Sequence, residues 1–393
     1  MWTAAVGYKI LHSLNLPVDI RDVCVFLAPF MASNTALVTY FLTKECWTSS
    51  AGVVAAAFVA LTPGYISRSV AGSYDNEAVA IFAMLLTFYL WVKAVHTGSA
   101  FWSGLCALGY FYMVAAWGGY IFITNIIPCH VLAIILFGKM NSKVYVAYSI
   151  WYPLGTLLSM TIGFVSFIPV SSPEHAGAFG VFCLLQVWLL YTYLQGILHK
   201  SQFQYVIYLA VMTIFAGIVI IGLLAYSGTI PFLTGRLKSL LGSTSNIAIV
   251  KSVSEHQPTA WGTFFLDMHF CLIYAVPGLY YCFHYLTNEN LFLILYLLFA
   301  SYFSSIMVRL MLVIAPIVCI VGGIGMSEFI LTFCQSYLTS TPDSPEESTS
   351  TEPKETPTSK SGKDSKKAKE AKGLIFCQIF SHSSSLQEKG FYF

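Results

Sequence analysis

The chain of 393 residues is 57% hydrophobic, and its Asp, Glu, Lys and Arg residues together make up only 10% of it. A soluble protein of this length needs more surface charge, so the composition indicates an integral membrane protein. The net charge of +2 gives no support for nucleic-acid binding. The ten cysteines are spread through apolar runs and lack the spacing of a metal site or a disulfide framework.

Apolar runs long enough to cross a bilayer predict a transmembrane bundle of about eleven helices over residues 22–335. Residues 1–21, which precede it, are expected to be a partial lumenal loop or amphipathic segment. The predicted spans are residues 22–42, 51–66, 77–95, 100–117, 118–137, 144–168, 176–198, 204–226, 265–286, 291–303 and 306–334. The predicted fold class is therefore an all-α polytopic membrane protein.

Lysines lie in alternate connections between the predicted spans. Basic loops are retained in the cytosol, so these connections are expected to be cytosolic. They contain Lys44, Lys93, Lys139, Lys143 and Lys200. The remaining connections are then lumenal, and they include the turn around residue 75 and a long loop at residues 227–263.

The composition changes near residue 339, where Ser, Thr, Pro, Glu and Lys replace the apolar residues. Such a segment buries too little apolar surface to fold, so residues 339–372 are expected to be a disordered cytosolic linker. Residues 373–393 form a divergent tail whose apolar run is too short to span a bilayer. The sequence contains no phosphate-binding loop of the GxxxxGK[ST] type, which argues against a P-loop enzyme.

Asp75 and Glu77 flank Asn76 at the start of an apolar helix. One interpretation is helix capping, because Asp75 can accept a hydrogen bond from a first-turn N–H and Glu77 favours the positive helix end. The other is a divalent-metal site, because carboxylates suit Mg²⁺ or Mn²⁺ and these ions suit diphosphate substrates. Spacing alone leaves both open, and the two roles can coexist.

Three further charged residues stand out on the same predicted side of the membrane. Arg68 can orient a carboxylate or bind a phosphate, but it can equally be an arginine that reaches the interface. Glu255 lies in a polar loop that can deliver a carboxylate to a site or be simply exposed. Arg309 lies in an apolar run, where an arginine is costly unless it reaches water, a partner or a phosphate.

The motifs Arg68-Ser-Val-Ala-Gly-Ser-Tyr-Asp75-Asn-Glu77, Ser252-Val-Ser-Glu255-His-Gln-Pro and Met307-Val-Arg309-Leu-Met-Leu-Val-Ile-Ala-Pro occur in this order. Together they resemble the catalytic subunit of the eukaryotic oligosaccharyltransferase, and most closely the paralogue that works during translocation. The resemblance runs from about residue 19 to about residue 326. It implies a GT-C glycosyltransferase bundle in the endoplasmic reticulum membrane, with the active face in the lumen.

The implied reaction moves a preassembled oligosaccharide from dolichyl diphosphate to Asn in Asn-X-Ser/Thr sequons. By the resemblance, Asp75 and Glu77 bind Mn²⁺ or Mg²⁺, and Arg309 binds the diphosphate. By the same resemblance, Glu255 contacts the acceptor peptide, and Glu255 and Arg68 are catalytic residues. The implied partners are other oligosaccharyltransferase subunits, the lipid-linked oligosaccharide, the acceptor polypeptide and the translocon.

The chain departs from the family pattern at both ends. The family's first acidic motif would lie upstream of Met1, and the C-terminal lumenal domain with its Trp-Trp-Asp-Tyr-Gly motif is not in the sequence. The chain is therefore expected to be a fragment or an inactive isoform that does not glycosylate alone. The alternatives are a noncatalytic assembly subunit and another lipid-phosphate sugar transferase, such as a protein O-mannosyltransferase.

Overall fold

The computed structural model describes residues 1–197, 255 and 257–340, with side chains up to residue 335. Within these residues every regular element is a helix. The helices are α1 (Trp2–Ser13), α2 (Ile20–Cys46), α3 (Ser49–Leu61), α4 (Pro63–Ile66), α5 (Asn76–Thr97), α6 (Ala100–Ala116), α7 (Ile121–Leu136), α8 (Ser142–Met160), α9 (Ile168–Ser171), α10 (Ala176–Ile197), α11 (Trp261–Met268), α12 (Phe270–His284), α13 (Asn288–Ile306) and α14 (Met311–Ser340). Short 3₁₀ turns lie at Gly118–Tyr120, Pro173–His175 and Val308–Leu310.

Helices in the described part of the chain coincide with ten of the eleven predicted spans. Among residues 1–197 and 257–340, six helical segments are long and apolar enough to cross a membrane, and the bent pair α11–α12 makes a seventh if it counts as one span. Helices α3 and α6 are apolar but shorter. The predicted span 204–226, most of the loop 227–263, the linker beyond residue 340 and the tail 373–393 lie outside the described residues.

Several predicted spans have a different shape in the structure. The run 51–66 is divided at Thr62 into α3 and α4, and α8 ends at Met160, inside the run 144–168. The run 265–286 is not one helix, because the backbone of His269 has a φ of 45° and α11 and α12 meet there at 94°. The run 306–334 does not start as a helix: α13 ends at Ile306, and Arg309 lies in the 3₁₀ turn before α14. Apolar length marks where the chain is in the membrane but cannot locate such breaks.

Helices α5 and α14 form the centre of the bundle. In the most apolar window of α14, 89% of the residues are buried, and the value for α5 is 78%. The values for α2 and α10 are only 28% and 17%. A helix that is apolar all round but exposed is suited to contact lipid or another membrane protein.

Glycines allow α12 and α14 to approach each other closely. A Cβ atom added at Gly278 would lie 1.9 Å from the carbonyl oxygen of Val321, and one added at Gly325 would lie 2.2 Å from that of Tyr274. Small residues of this kind permit close backbone contact between membrane helices. The contact holds α12, which follows the Glu255 segment, against α14, which follows Arg309.

The two ends of the bundle collect different polar residues. At one end, Lys93 and His96 of α5 pair with Glu45 of α2, and Lys143 donates to the carbonyl of His96. The other end holds the turn before α5, the turn after α6, residues 257–260 and the turn before α14. We call this second end the site end. The predicted cytosolic lysines that the structure describes lie at the opposite end.

Candidate active site

Glu77 is the buried centre of the site end. Its carboxylate is 2% exposed and lies between two arginines. Nε of Arg309 donates to Oε1 over 3.2 Å, and Nη1 of Arg68 lies 3.4 Å from Oε2. A carboxylate can be buried this deeply only when cations or hydrogen bonds compensate its lost hydration.

Arg68 bridges two carboxylates that are distant in the sequence. Besides its pair with Glu77, its Nη2 donates to Oε1 of Glu255 over 3.3 Å. Arg68 and Glu255 are 36% and 41% exposed, so water reaches this part of the network. Four charges therefore form one chain, in the order Glu255, Arg68, Glu77 and Arg309, which we call the ion-pair chain.

Asp75 has surroundings unlike those of Glu77. It is the N-cap of α5, and its Oδ1 accepts a hydrogen bond from the backbone N–H of Asn76 over 2.7 Å. Its side chain is exposed and lines a cavity of about 820 Å³ that is otherwise mainly apolar and aromatic. Trp2, Tyr74, Phe111, Tyr112 and Phe164 contribute the aromatic wall. Asp75 therefore caps α5, as the capping interpretation predicted. Its other carboxylate oxygen has no hydrogen bond to the described residues.

Buried hydrogen bonds hold the turn that carries Arg68. The hydroxyls of Tyr65 in α4 and Thr35 in α2 lie 2.9 Å apart inside the bundle. Ser69 donates to the carbonyl of Tyr65 in the buried part of the turn. At an exposed position, Nδ2 of Asn76 donates to the carbonyl of Ala116. These bonds attach the Arg68 turn to α2 and the start of α5 to the end of α6.

The break between α13 and α14 places Arg309 in the site. A continuous helix would carry its side chain along the bundle wall, whereas the 3₁₀ turn Val308–Leu310 brings the guanidinium to Glu77. Arg309 is 36% exposed, so it keeps contact with water while it pairs with a buried carboxylate. This arrangement can present a cation to an anionic ligand.

The carboxylates fit a divalent cation as a partial ligand set. Oε2 of Glu77 is buried and makes no hydrogen bond to the described residues, but Nη1 of Arg68 lies 3.4 Å from it. Asp75 has one carboxylate oxygen outside its capping hydrogen bond. Within the described ranges, no group of three or more His, Cys, Asp and Glu side chains could hold a metal. Mg²⁺ commonly uses one or two carboxylates and completes its shell with water and phosphate oxygens, so a small number of carboxylates at this end is compatible with such an ion.

The structure brings four of the five predicted site residues into the ion-pair chain and leaves Asp75 two positions away on the cavity side. Their catalytic, metal-binding and substrate-binding roles stay predictions. Sequence reasoning missed Thr35, Tyr65 and Thr259, which hold the segments that carry the charges. For Thr259, the sequence feature that could have indicated this role is its position directly after the Ser-Val-Ser-Glu255-His-Gln-Pro motif.

The fold is shared with solved oligosaccharyltransferases. The archaeal oligosaccharyltransferase AglB from Archaeoglobus fulgidus, in complex with an inhibitory peptide and a dolichol-phosphate, matches with a TM-score of 0.66 at 14% identity. The match covers 97% of this chain and 46% of that chain. An Archaeoglobus fulgidus oligosaccharyltransferase in the apo form matches with a TM-score of 0.65 at 13% identity, covering 93% of this chain and 44% of that chain. The chain is thus an all-α polytopic membrane protein whose helical bundle has the fold of these solved structures.

Residues 1–322 match the family described as Oligosaccharyl transferase STT3, N-terminal, and the chain belongs to this family. It is 47% identical over 339 residues to the dolichyl-diphosphooligosaccharide–protein glycosyltransferase subunit STT3 of Dictyostelium discoideum, covering 85% of this chain and 47% of that protein. It is 51% identical over 335 residues to subunit STT3B of Arabidopsis thaliana, covering 84% and 46%. The chain spans about half the length of these relatives.

Proposed function

We propose that this chain forms the membrane-embedded catalytic face of an oligosaccharyltransferase, which transfers an oligosaccharide from dolichyl diphosphate to Asn in Asn-X-Ser/Thr sequons. The ion-pair chain carries the proposal, because it joins carboxylates and arginines from four segments at one end of the bundle. The names of the relatives and the peptide and dolichol-phosphate of the archaeal structure support the same substrates.

Arg309 is the residue suited to the diphosphate. Its guanidinium is always charged and can bind phosphate oxygens through two N–H groups, and it lies in a turn that water reaches. Negative charge grows on the departing diphosphate during transfer. A fixed cation next to that charge lowers the barrier more than a mobile one, because no reorganisation is needed.

Glu255 is the residue suited to the acceptor. The amide nitrogen of Asn is a weak nucleophile because its lone pair is delocalised into the carbonyl. A carboxylate that accepts the amide N–H bonds can orient the nitrogen toward the sugar. Arg68 holds Glu255 through a 3.3 Å contact, so the carboxylate is positioned before the acceptor arrives.

Asp75 and Glu77 would hold Mn²⁺ or Mg²⁺, which when bound supplies Lewis-acid stabilisation of phosphate charge. Glu77 would hold the cation from the buried side of the site and Asp75 from the start of α5. The ends of the bundle support an orientation with the site in the endoplasmic reticulum lumen, since the described lysines of the connections lie at the other end. Other oligosaccharyltransferase subunits, together with the translocon, are the proposed partners.

The test uses this chain in complex with its partner oligosaccharyltransferase subunits, purified from microsomes in mild detergent, with dolichyl-diphosphate oligosaccharide and a fluorescent Asn-X-Thr peptide. We expect glycopeptide to form with Mn²⁺ and not with EDTA, and a Gln-X-Thr peptide to remain unmodified. Glu77→Gln should abolish transfer while the protein still accumulates. Full cellular glycosylation by a Glu77→Gln protein as the sole copy would instead support a noncatalytic assembly subunit.

A further inference from the structure

The segment that follows Glu255 is attached by three hydrogen bonds to the end of helix α13 and to the 3₁₀ turn that follows it. The backbone N–H of Thr259 donates to the carbonyl of Ser305 over 3.2 Å, and its hydroxyl donates to the carbonyl of Ser304. In the reverse direction, the backbone N–H of Val308 donates to the carbonyl of Gln257 over 3.1 Å. We call these three bonds the α13 clasp.

The α13 clasp satisfies groups that a helix end leaves unpaired. The last four carbonyls of an α-helix have no hydrogen-bond donor within the helix. Leaving them without a donor near a membrane costs free energy. Ser304 and Ser305 lie within the last turn of α13, which ends at Ile306. Thr259 therefore acts as the C-terminal cap of α13, although it belongs to a different segment of the chain.

The α13 clasp also sets the distance between two charged residues of the site. Glu255 lies two residues before Gln257, and Arg309 directly follows Val308, so a bond between Gln257 and Val308 lies between the two charges. Both charged side chains belong to the ion-pair chain: Glu255 pairs with Arg68, and Arg309 pairs with Glu77. The ion pairs alone reach across long, flexible side chains, whereas the clasp connects the backbones.

We infer that Thr259 is a positioning residue that holds the Glu255 segment in register with the Arg309 turn. This inference rests on the proposed function, because it assigns Thr259 an effect on transfer through Glu255 and Arg309. The hydroxyl is the informative group, because Val has the same shape and lacks it. Ser has the hydroxyl without the methyl group and should restore the bond.

The experiment compares Thr259→Val, Thr259→Ser and wild type in the complete membrane-assembled protein. Thr259→Val should lower kcat/KM for an Asn-X-Thr peptide about ten- to a hundredfold, the scale of a misplaced positioning group, and Thr259→Ser should stay within about twofold. Thr156→Val is the matched control, because it removes a half-buried hydroxyl that bonds only within α8. Ser304→Ala should be neutral, because the clasp uses the carbonyl of Ser304.

Hydrogen–deuterium exchange provides a readout that does not depend on turnover. The amides of Thr259 and Val308 should exchange faster in Thr259→Val and at the wild-type rate in Thr259→Ser and Thr156→Val. Thr259→Ala, which is smaller, supplies the same measurement if the Val variant does not accumulate. Wild-type kinetics and exchange in both Thr259→Val and Thr259→Ala would overturn the inference, as would an equal loss in Thr259→Ser. If wild type itself lacks transfer, the proposed function fails while the exchange data still decide the clasp.

Discussion

Arg309 and Glu77 are 232 residues apart in the sequence, and Nε of Arg309 donates to Oε1 of Glu77 over 3.2 Å. Glu77 is 2% exposed and Arg309 is 36% exposed, so the pair connects the interior of the bundle with the water at its end. Such a pair contributes modestly to stability, because its exposed partner is screened by solvent. Its main consequence is that a negative and a positive group meet at the end of the bundle for which we propose cation and diphosphate binding.

Glu77→Gln tests the centre of the ion-pair chain. The amide keeps the shape of the carboxylate but leaves Arg68 and Arg309 without their shared anion, so we expect Mn²⁺ binding and peptide transfer to be lost. We expect stability to fall by only about 1–2 kcal/mol, because both arginines reach water. Mn²⁺ electron paramagnetic resonance and a detergent melting curve measure the two effects.

Glu45→Gln is the matched control for this variant. It also removes a carboxylate that pairs with two basic residues, Lys93 and His96, but at the other end of the bundle. We expect it to keep Mn²⁺ binding and transfer. Equal losses in Glu45→Gln and Glu77→Gln would attribute both to general damage to the bundle.

Asp75→Asn separates capping from metal binding. Asn is as good an N-cap as Asp, so α5 should keep its stability within about 0.5 kcal/mol while a cation loses one carboxylate. We expect transfer to fall and the Mn²⁺ concentration for half-maximal activity to rise. Asp19→Asn, at the N-cap of α2, is the control and should change neither value. Unchanged metal dependence in Asp75→Asn would reduce Asp75 to a helix cap.

Tyr65→Phe tests whether the buried bond to Thr35 positions the Arg68 turn. Loss of the Tyr65 hydroxyl should lower the free energy of unfolding by about 1–2 kcal/mol, because the buried hydroxyl of Thr35 loses this hydrogen bond. We also expect a several-fold decrease in transfer. Tyr110→Phe removes a similarly buried bond, to Thr124, and should cost the same stability without the kinetic loss. Equal kinetics in the two variants would contradict a positioning role for Tyr65.

Gly278→Ala tests the close contact of α12 and α14. The added methyl group would lie 1.9 Å from the carbonyl oxygen of Val321, so the two helices must separate, at a cost of at least about 3 kcal/mol. Gly180→Ala in α10 is the control, since nothing lies within 4 Å of its added Cβ. We expect a lower melting temperature, or loss of accumulation, for Gly278→Ala alone. Equal melting temperatures of the two variants would show that the close contact of α12 and α14 does not stabilise the bundle.

The sequence by itself determined the class of the protein and the residue types of its site. Apolar runs of membrane length predicted the helices, because the bilayer requires every backbone group to be paired within a helix. Charged residues between such runs are costly, so Arg68, Asp75, Glu77, Glu255 and Arg309 stand out from their apolar neighbours in the sequence alone. The motifs they form carried the resemblance to the family, which the match over residues 1–322 confirmed.

Only the tertiary structure decided which of these charges meet. Sequence spacing relates Asp75 to Glu77, but the bundle buries Glu77 between Arg68 and Arg309 and turns Asp75 toward a cavity. It also revealed the break before α14 and the attachment of Thr259 to α13. Helix packing brings together groups separated by tens to hundreds of residues. No local pattern encodes those distances, because they depend on how every helix between them packs.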